Sequence, residues 1–279
     1  MLYTLIEPFT YPFMREALLV AVLVGTICAM LSCYLILKGW ALMGDAVSHA
    51  VFPGVVLAYV VGLPFSVGAF AAGFFCAGAT GWIKSNSRVK EDTIMGIVFT
   101  GMFAMGLVMY TKIDTNIHLN HILFGSLLGI ERSDLIQAVV VSVVVLLVLI
   151  VKRRDLMLFC FDQNHARTIG MNTTMLHYLL LAILAATIVA ALQAVGIILT
   201  VAMLITPGCV AYQLSDRFER MMLIAVASSI FSSVFGVYIS YFIDGGTGAC
   251  IVLTQSALFV IAMFLGPKRG VVWTYLARA

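Results

Sequence analysis

Charge is scarce in this sequence. Asp, Glu, Lys and Arg make up 10% of its 279 residues, where globular domains carry roughly 25%. So few charges cannot cover a water-facing surface, and a soluble fold is excluded. The six cysteines form no CxxC pair and mostly fall in apolar runs. They read as small buried apolar side chains rather than disulfide or metal partners. No basic cluster is longer than Lys152-Arg153-Arg154, and no polar domain could display one, so nucleic acid is not a partner. HExxH and GxSxG are missing, which argues against a hydrolase. GxxxxGK[ST] is missing too, so the chain has no phosphate-binding P-loop. If ATP drives this protein, another polypeptide supplies the motor.

What the sequence does have is hydrophobicity, at 62% of residues. Uncharged runs such as 17–37 exceed the ~18 residues that mark a membrane-spanning helix. The chain reads as an all-α polytopic membrane protein. Its charges punctuate spans predicted at 17–37, 41–61, 65–83, 93–110, 135–151, 176–194, 196–214, 221–243 and 248–266. The stretch from Thr168 to Ser215 carries no charge and is long enough for two spans of ~20 residues. It must fold back on itself, and Gln193 and Gly196 mark the turn. The segment holding Gly44, Pro53 and Gly54 invites a broken or re-entrant helix, so the count is eight to nine crossings.

Orientation follows from basic residues. With nine spans, one side receives thirteen of them, from Lys38, Lys84 and Arg88 through to Arg278; the other receives Arg15, Lys112 and Arg132. This asymmetry predicts a cytoplasmic C-terminus. The N-terminal stretch has acids and prolines and lacks a basic leader region, so the first span is expected to act as an uncleaved signal. Residues 1–279 form a single transmembrane domain, because the largest polar segments, 152–172 and 111–134, are too short to fold alone.

Of thirteen acids, only Asp45 lies inside an apolar segment. His49 follows four residues later, so carboxylate and imidazole share one helical face. An ionisable group in a bilayer costs ~2.5–3.5 kcal/mol and is usually functional. Carboxylate oxygen plus imidazole nitrogen makes a half-site for Mn²⁺, Fe²⁺ or Zn²⁺, and two copies about a two-fold axis would supply four ligands. The alternative is an Asp–His hydrogen bond that only fixes helix packing. Ser48 beside His49 points about 100° away and cannot form a nucleophile–base contact. Asp114, His118 and His121 form either a weak external entry site for a cation or a solvated loop. In the segment 161–170, Asp162 is an N-cap candidate and Gly170 a terminator, which suggests a short helix on the membrane surface rather than a plain loop.

At 38–55, KGWALMGDAVSHAVFPGV, the chain closely resembles the integral-membrane permeases of manganese/zinc/iron ABC importers. The likeness continues through MGIVFTGMFAMGL (95–107), HILFGSLLGI (121–130), FDQNHARTIGM (161–171), LQAVGIILTVAMLITPG (192–208) and TGACIVLTQSALFVIA (247–262). VKEDTIMGIVF and IDGGTGACIV look most like the iron/manganese subgroup of Gram-negative bacteria. One departure is Gly246, where many relatives have proline, which should loosen the last inter-helix turn.

The resemblance implies a type II ABC-importer-like permease in the bacterial inner membrane. It implies a dimer with an identical or sister permease, a cytoplasmic ABC ATPase dimer, and an extracytoplasmic metal-binding protein. It implies that Asp45 and His49 contact the metal, and that about 161–171 is the ATPase-coupling helix, with Asp162, Ala166, Arg167 and Gly170 as its matching positions. No cofactor is expected to stay bound: the divalent metal is cargo and ATP sits on the partner subunit. The competing function is a stand-alone proton-coupled metal transporter with Asp45 as carrier. An enzyme of the membrane interior lacks a catalytic set.

Overall fold

The computed structural model describes residues 7–40, 42–112 and 132–266. A 3-10 turn at Glu7–Thr10 precedes eleven α-helices: α1 (Pro12–Lys38), α2 (Met43–Val61), α3 (Phe65–Asn86), α4 (Glu91–Tyr110), α5 (Arg132–Val151), α6 (Arg153–Phe161), α7 (Gln163–Thr168), α8 (Thr173–Val195), α9 (Ile197–Leu214), α10 (Phe218–Ile243) and α11 (Thr247–Leu265). Among the described residues, nine of these are long and apolar enough to cross a membrane. Each predicted span falls on one of them. The Gly44–Gly54 segment belongs to one continuous helix, α2, with Pro53 inside it, rather than a broken one.

Local chemistry sets the helix ends. Pro12 opens α1 at a position where its missing N–H costs nothing. Gly39 closes α1 at φ 76°, and the N–H groups of Gly39 and Trp40 donate back to the carbonyls of Ile36 and Leu35 at 3.1 and 2.8 Å. Gly196, at φ 81°, separates α8 from α9, where the uncharged stretch was expected to turn.

α1 and α8 are the most buried helices. α1 packs on α9 and α10, α2 packs on α3 and α4, and α8 joins the groups by touching α5, α3, α2 and α1. Small residues let these helices close up, since lipid-facing bundles gain little from hydrophobicity and much from close contact. A Cβ on Gly54 of α2 would collide with the Gly68 carbonyl of α3, and one on Gly68 would meet the Gly54 carbonyl. A Cβ on Gly106 of α4 would come within 2.6 Å of Phe52 and 2.9 Å of the Pro53 nitrogen. Ser229 of α10 donates to the Gly25 carbonyl of α1 at 2.9 Å, and Ser233 to the Ala21 carbonyl at 3.2 Å.

Polar contacts tie the helix ends together. Ser66 donates to Gln137 Oε1 at 2.8 Å, Gln137 to Gln193 Oε1 at 2.7 Å, and Gln193 to Ser66 Oγ at 3.2 Å. This closed ring joins the starts of α3 and α5 to the end of α8. At the other end of the bundle, Arg153 pairs with Glu219 at 2.6 Å and Lys38 donates to Gln163 at 3.4 Å. The ring lies at the end that receives few basic residues, and the Arg153 and Lys38 contacts at the end that receives many.

Candidate functional site

Asp45 lies in the first turn of α2 and His49 one turn later, with Oδ1 and Nε2 3.5 Å apart. Asp45 does not lie midway along its helix. Asp45 sits where α2 starts, beside N–H groups that have no helical partner and whose dipole favours an anion. Nor is the pair sealed: the side chains of His49 and Asp45 are 32% and 40% exposed in the single chain.

Helix α4 builds the wall behind the imidazole. The His49 ring stacks on Phe99 at 6.1 Å between centroids and meets Phe103 edge-on at 5.5 Å. These two rings were not singled out from the sequence, although their i,i+4 spacing within 95–107 puts them on one face. Pro53, one turn beyond His49, has no N–H, so the His49 carbonyl lacks its helical donor. The Ser48 hydroxyl donates to the Gly44 carbonyl, one turn back, at 2.7 Å. A cavity of about 10 Å³, the size of one water, lies between Ser48, His49, Phe103, Leu192 and Ile197.

The pair brings together two donors of the kinds that divalent transition metals accept. It offers carboxylate oxygen and one imidazole nitrogen, and no group of three His, Cys, Asp or Glu forms among the described residues. A first-row divalent ion takes four or more donors. Among the described residues, the pair therefore supplies two of the donors such an ion would need. Asp114, His118 and His121 lie outside the described residues.

The polar segment 152–172 folds into two short helices, α6 and α7. α6 was not foreseen; it is anchored by Leu156, Phe159 and Cys160, all buried. α7 starts at Asp162, whose Oδ1 accepts from the N–H groups of Asn164 and His165, both at 2.9 Å. Ala166 is its one buried residue. Arg167 is exposed but donates from Nε to Thr173 Oγ1 at 3.1 Å. Gly170 follows at φ 82°, the terminator the sequence suggested. Phe161, the last residue of α6, is 79% exposed. It borders a groove of about 730 Å³ whose walls include Leu37, Met157, Tyr212, Arg217 and Arg220.

Similarities to known proteins agree with this architecture. Residues 10–266 match the ABC 3 transport family. The chain is 56% identical over 264 residues to the chelated iron transport system membrane protein YfeD of Yersinia pestis, covering 94% of this chain and 89% of that one. It is 54% identical over 267 residues to the manganese transport system membrane protein MntB of Synechocystis sp., covering 96% and 87%. The fold superposes on a chain of PsaBC from Streptococcus pneumoniae, solved in complex with Fab, with a TM-score of 0.87 and 35% identity over 99% of this chain and 100% of that one. With nine candidate spans and a family match that leaves only the two chain ends uncovered, this chain belongs to the ABC 3 transport family.

Proposed function

We propose that the protein is the permease subunit of an ATP-driven importer that carries a divalent transition metal, Mn²⁺ or Fe²⁺, into the cytoplasm. The observation that carries this reading is the Asp45–His49 pair, 3.5 Å apart and open to one side of a single chain. The names of the iron and manganese relatives support the choice of cargo. The same two donors would accept Zn²⁺, since such sites select by geometry and delivery more than by raw affinity.

One chain supplies half a coordination sphere, so a second permease, identical or a sister, brings the other half. An extracytoplasmic metal-binding protein delivers the ion at the end where Ser66, Gln137 and Gln193 meet. A dimer of cytoplasmic ATPases docks at the basic end, on α7 and the exposed Phe161 beside it. Closure of the motor then reshapes the cleft around the pair, and the ion leaves inward. Binding at the pair must stay modest, because a deep well would hold the ion.

Uptake of radioactive manganese and iron by cells that depend on this protein tests the reading. Asp45→Asn keeps size and removes the anion, and His49→Ala removes the nitrogen. Each should lower uptake by at least about tenfold, with normal amounts of protein in the membrane. Full uptake by the double variant would eliminate the site. Uptake driven by a pH gradient with ATP hydrolysis blocked would favour a proton-coupled transporter instead.

A further inference from the structure

We infer that Lys38 is a positioning residue that passes the movement of α7 to the helix bearing Asp45 and His49. This rests on the reading that α7 seats an ATPase. Lys38 is the last residue of α1, and its Nζ stands 4.1 Å above the Phe159 ring of α6. It lies 5.8 Å from the Trp40 ring and donates to Gln163 Oε1, in the first turn of α7, at 3.4 Å.

Two aromatic rings, Phe159 and Trp40, form a partly buried box around that ammonium. Trp40 is 3% exposed and meets His177 of α8 edge-on at 5.3 Å, and His177 meets Phe159 at 6.3 Å. Gly81 of α3 backs the box, since a Cβ there would approach His177 Nε2 to 3.0 Å. On the other side the path to the metal pair is short. The Trp40 carbonyl accepts from the Met43 N–H at 3.0 Å, where α2 begins, and Asp45 lies in that first turn. A shift of α7 therefore reaches Asp45 through Gln163, Lys38, the backbone at 39–40, and the first turn of α2.

α7 has a second attachment, through Arg167 to Thr173 and through the Met171 N–H to the Ala166 carbonyl at 3.1 Å. That route leads into α8, which carries neither Asp45 nor His49. The chemistry of Lys38 suits a joint that moves. A cation above a ring stays attracted anywhere within about 6 Å of its centroid, and the flexible stem lets the ammonium follow. An aliphatic residue would fill the box as well but would not hold Gln163.

The test uses the complete transporter in proteoliposomes, with Mn²⁺ uptake and ATP hydrolysis measured together. Lys38→Met keeps the length of the side chain and removes the charge. It should assemble and hydrolyse ATP at the basal rate, while Mn²⁺ moved per ATP falls about five- to tenfold. Lys38→Arg, which keeps the cation and its donors, should restore most of that ratio. An unchanged ratio in Lys38→Met overturns the proposal. So does failure of Arg to rescue, or loss of assembly or hydrolysis in proportion to uptake, which would make Lys38 an anchor only. Arg167→Glu tests the underlying reading separately: wild-type ATPase association in that variant would count against docking on α7, whatever Lys38 does.

Discussion

The hydroxyl of Ser32 accepts a hydrogen bond from the backbone N–H of Gly208 at 3.1 Å and donates one to the Ile205 carbonyl at 3.1 Å. Between those two residues stands Pro207, which interrupts the hydrogen-bond ladder of α9. α1 thus adds, through one side chain, two hydrogen bonds to the backbone of α9 on either side of its proline. Gly208 makes the approach feasible, because a Cβ there would run into Ser32.

Ser32→Ala leaves the Gly208 N–H and the Ile205 carbonyl without that partner in a dry interface. The expected cost is about 1–2 kcal/mol, read as a lower unfolding midpoint in detergent. A midpoint equal to wild type would show that the Gly208 N–H and the Ile205 carbonyl do not depend on Ser32.

Gly54→Ala places a methyl group against the Gly68 carbonyl, and neither partner is a flexible side chain that can step aside. α2 and α3 must separate, at an overpacking cost of about 1–3 kcal/mol. Because α2 carries Asp45 and His49, metal uptake should fall along with thermal stability. Wild-type uptake and stability together would refute the close contact.

Burial pushes the Cys160 thiol up to about 12. A raised value means the neutral thiol is favoured, so the reactive thiolate is a minute fraction at neutral pH. Alkylation at Cys160, followed by peptide mass spectrometry, should be slow. Its rate should rise about tenfold per pH unit, with no plateau below about pH 10. A plateau near pH 8 or 9 would mean that the residue is not enclosed.

The last inter-helix turn gives a different kind of prediction. Gly246 has φ −57°, within the range that proline imposes. The expected loosening from a glycine at this position therefore lies in the unfolded chain and not in the folded turn. Gly246→Pro should stabilise by about 0.4–1 kcal/mol through lost unfolded-state freedom. A drop in the melting temperature would show that the turn needs the glycine.

Orientation is tested by labelling. A cysteine at exposed Arg88 should be protected from an impermeant reagent in intact cells, and one at exposed Lys112 should react. The reverse pattern would turn the molecule over and place the proposed ATPase docking surface on the wrong side.

Much of this fold was legible because the bilayer simplifies the problem. Span length follows from membrane thickness, so charge-free runs mark helices to within a few residues, and Gly196 marks the break in the longest of them. The Asp45–His49 pair was legible because the helical period is fixed. Asp162 and Gly170 were legible as cap and terminator because capping depends on residues within one turn. The exposure of Asp45 was not, because it depends on which helices pack beside α2.

Contacts between distant residues had no local signal. The Phe99 and Phe103 wall, the Ser66–Gln137–Gln193 ring and the Lys38–Gln163 bond join positions up to 127 residues apart. Helices such as α8 and α11 are apolar on every side, so no periodic stripe shows which face meets a neighbour. Composition determined that helices cross the membrane, and spacing determined which side chains share a face. Which faces meet was settled by shape, by the close approach that Gly54, Gly68 and Gly106 permit and by polar groups finding partners in a dry interior, and neither has a period that can be read along the chain.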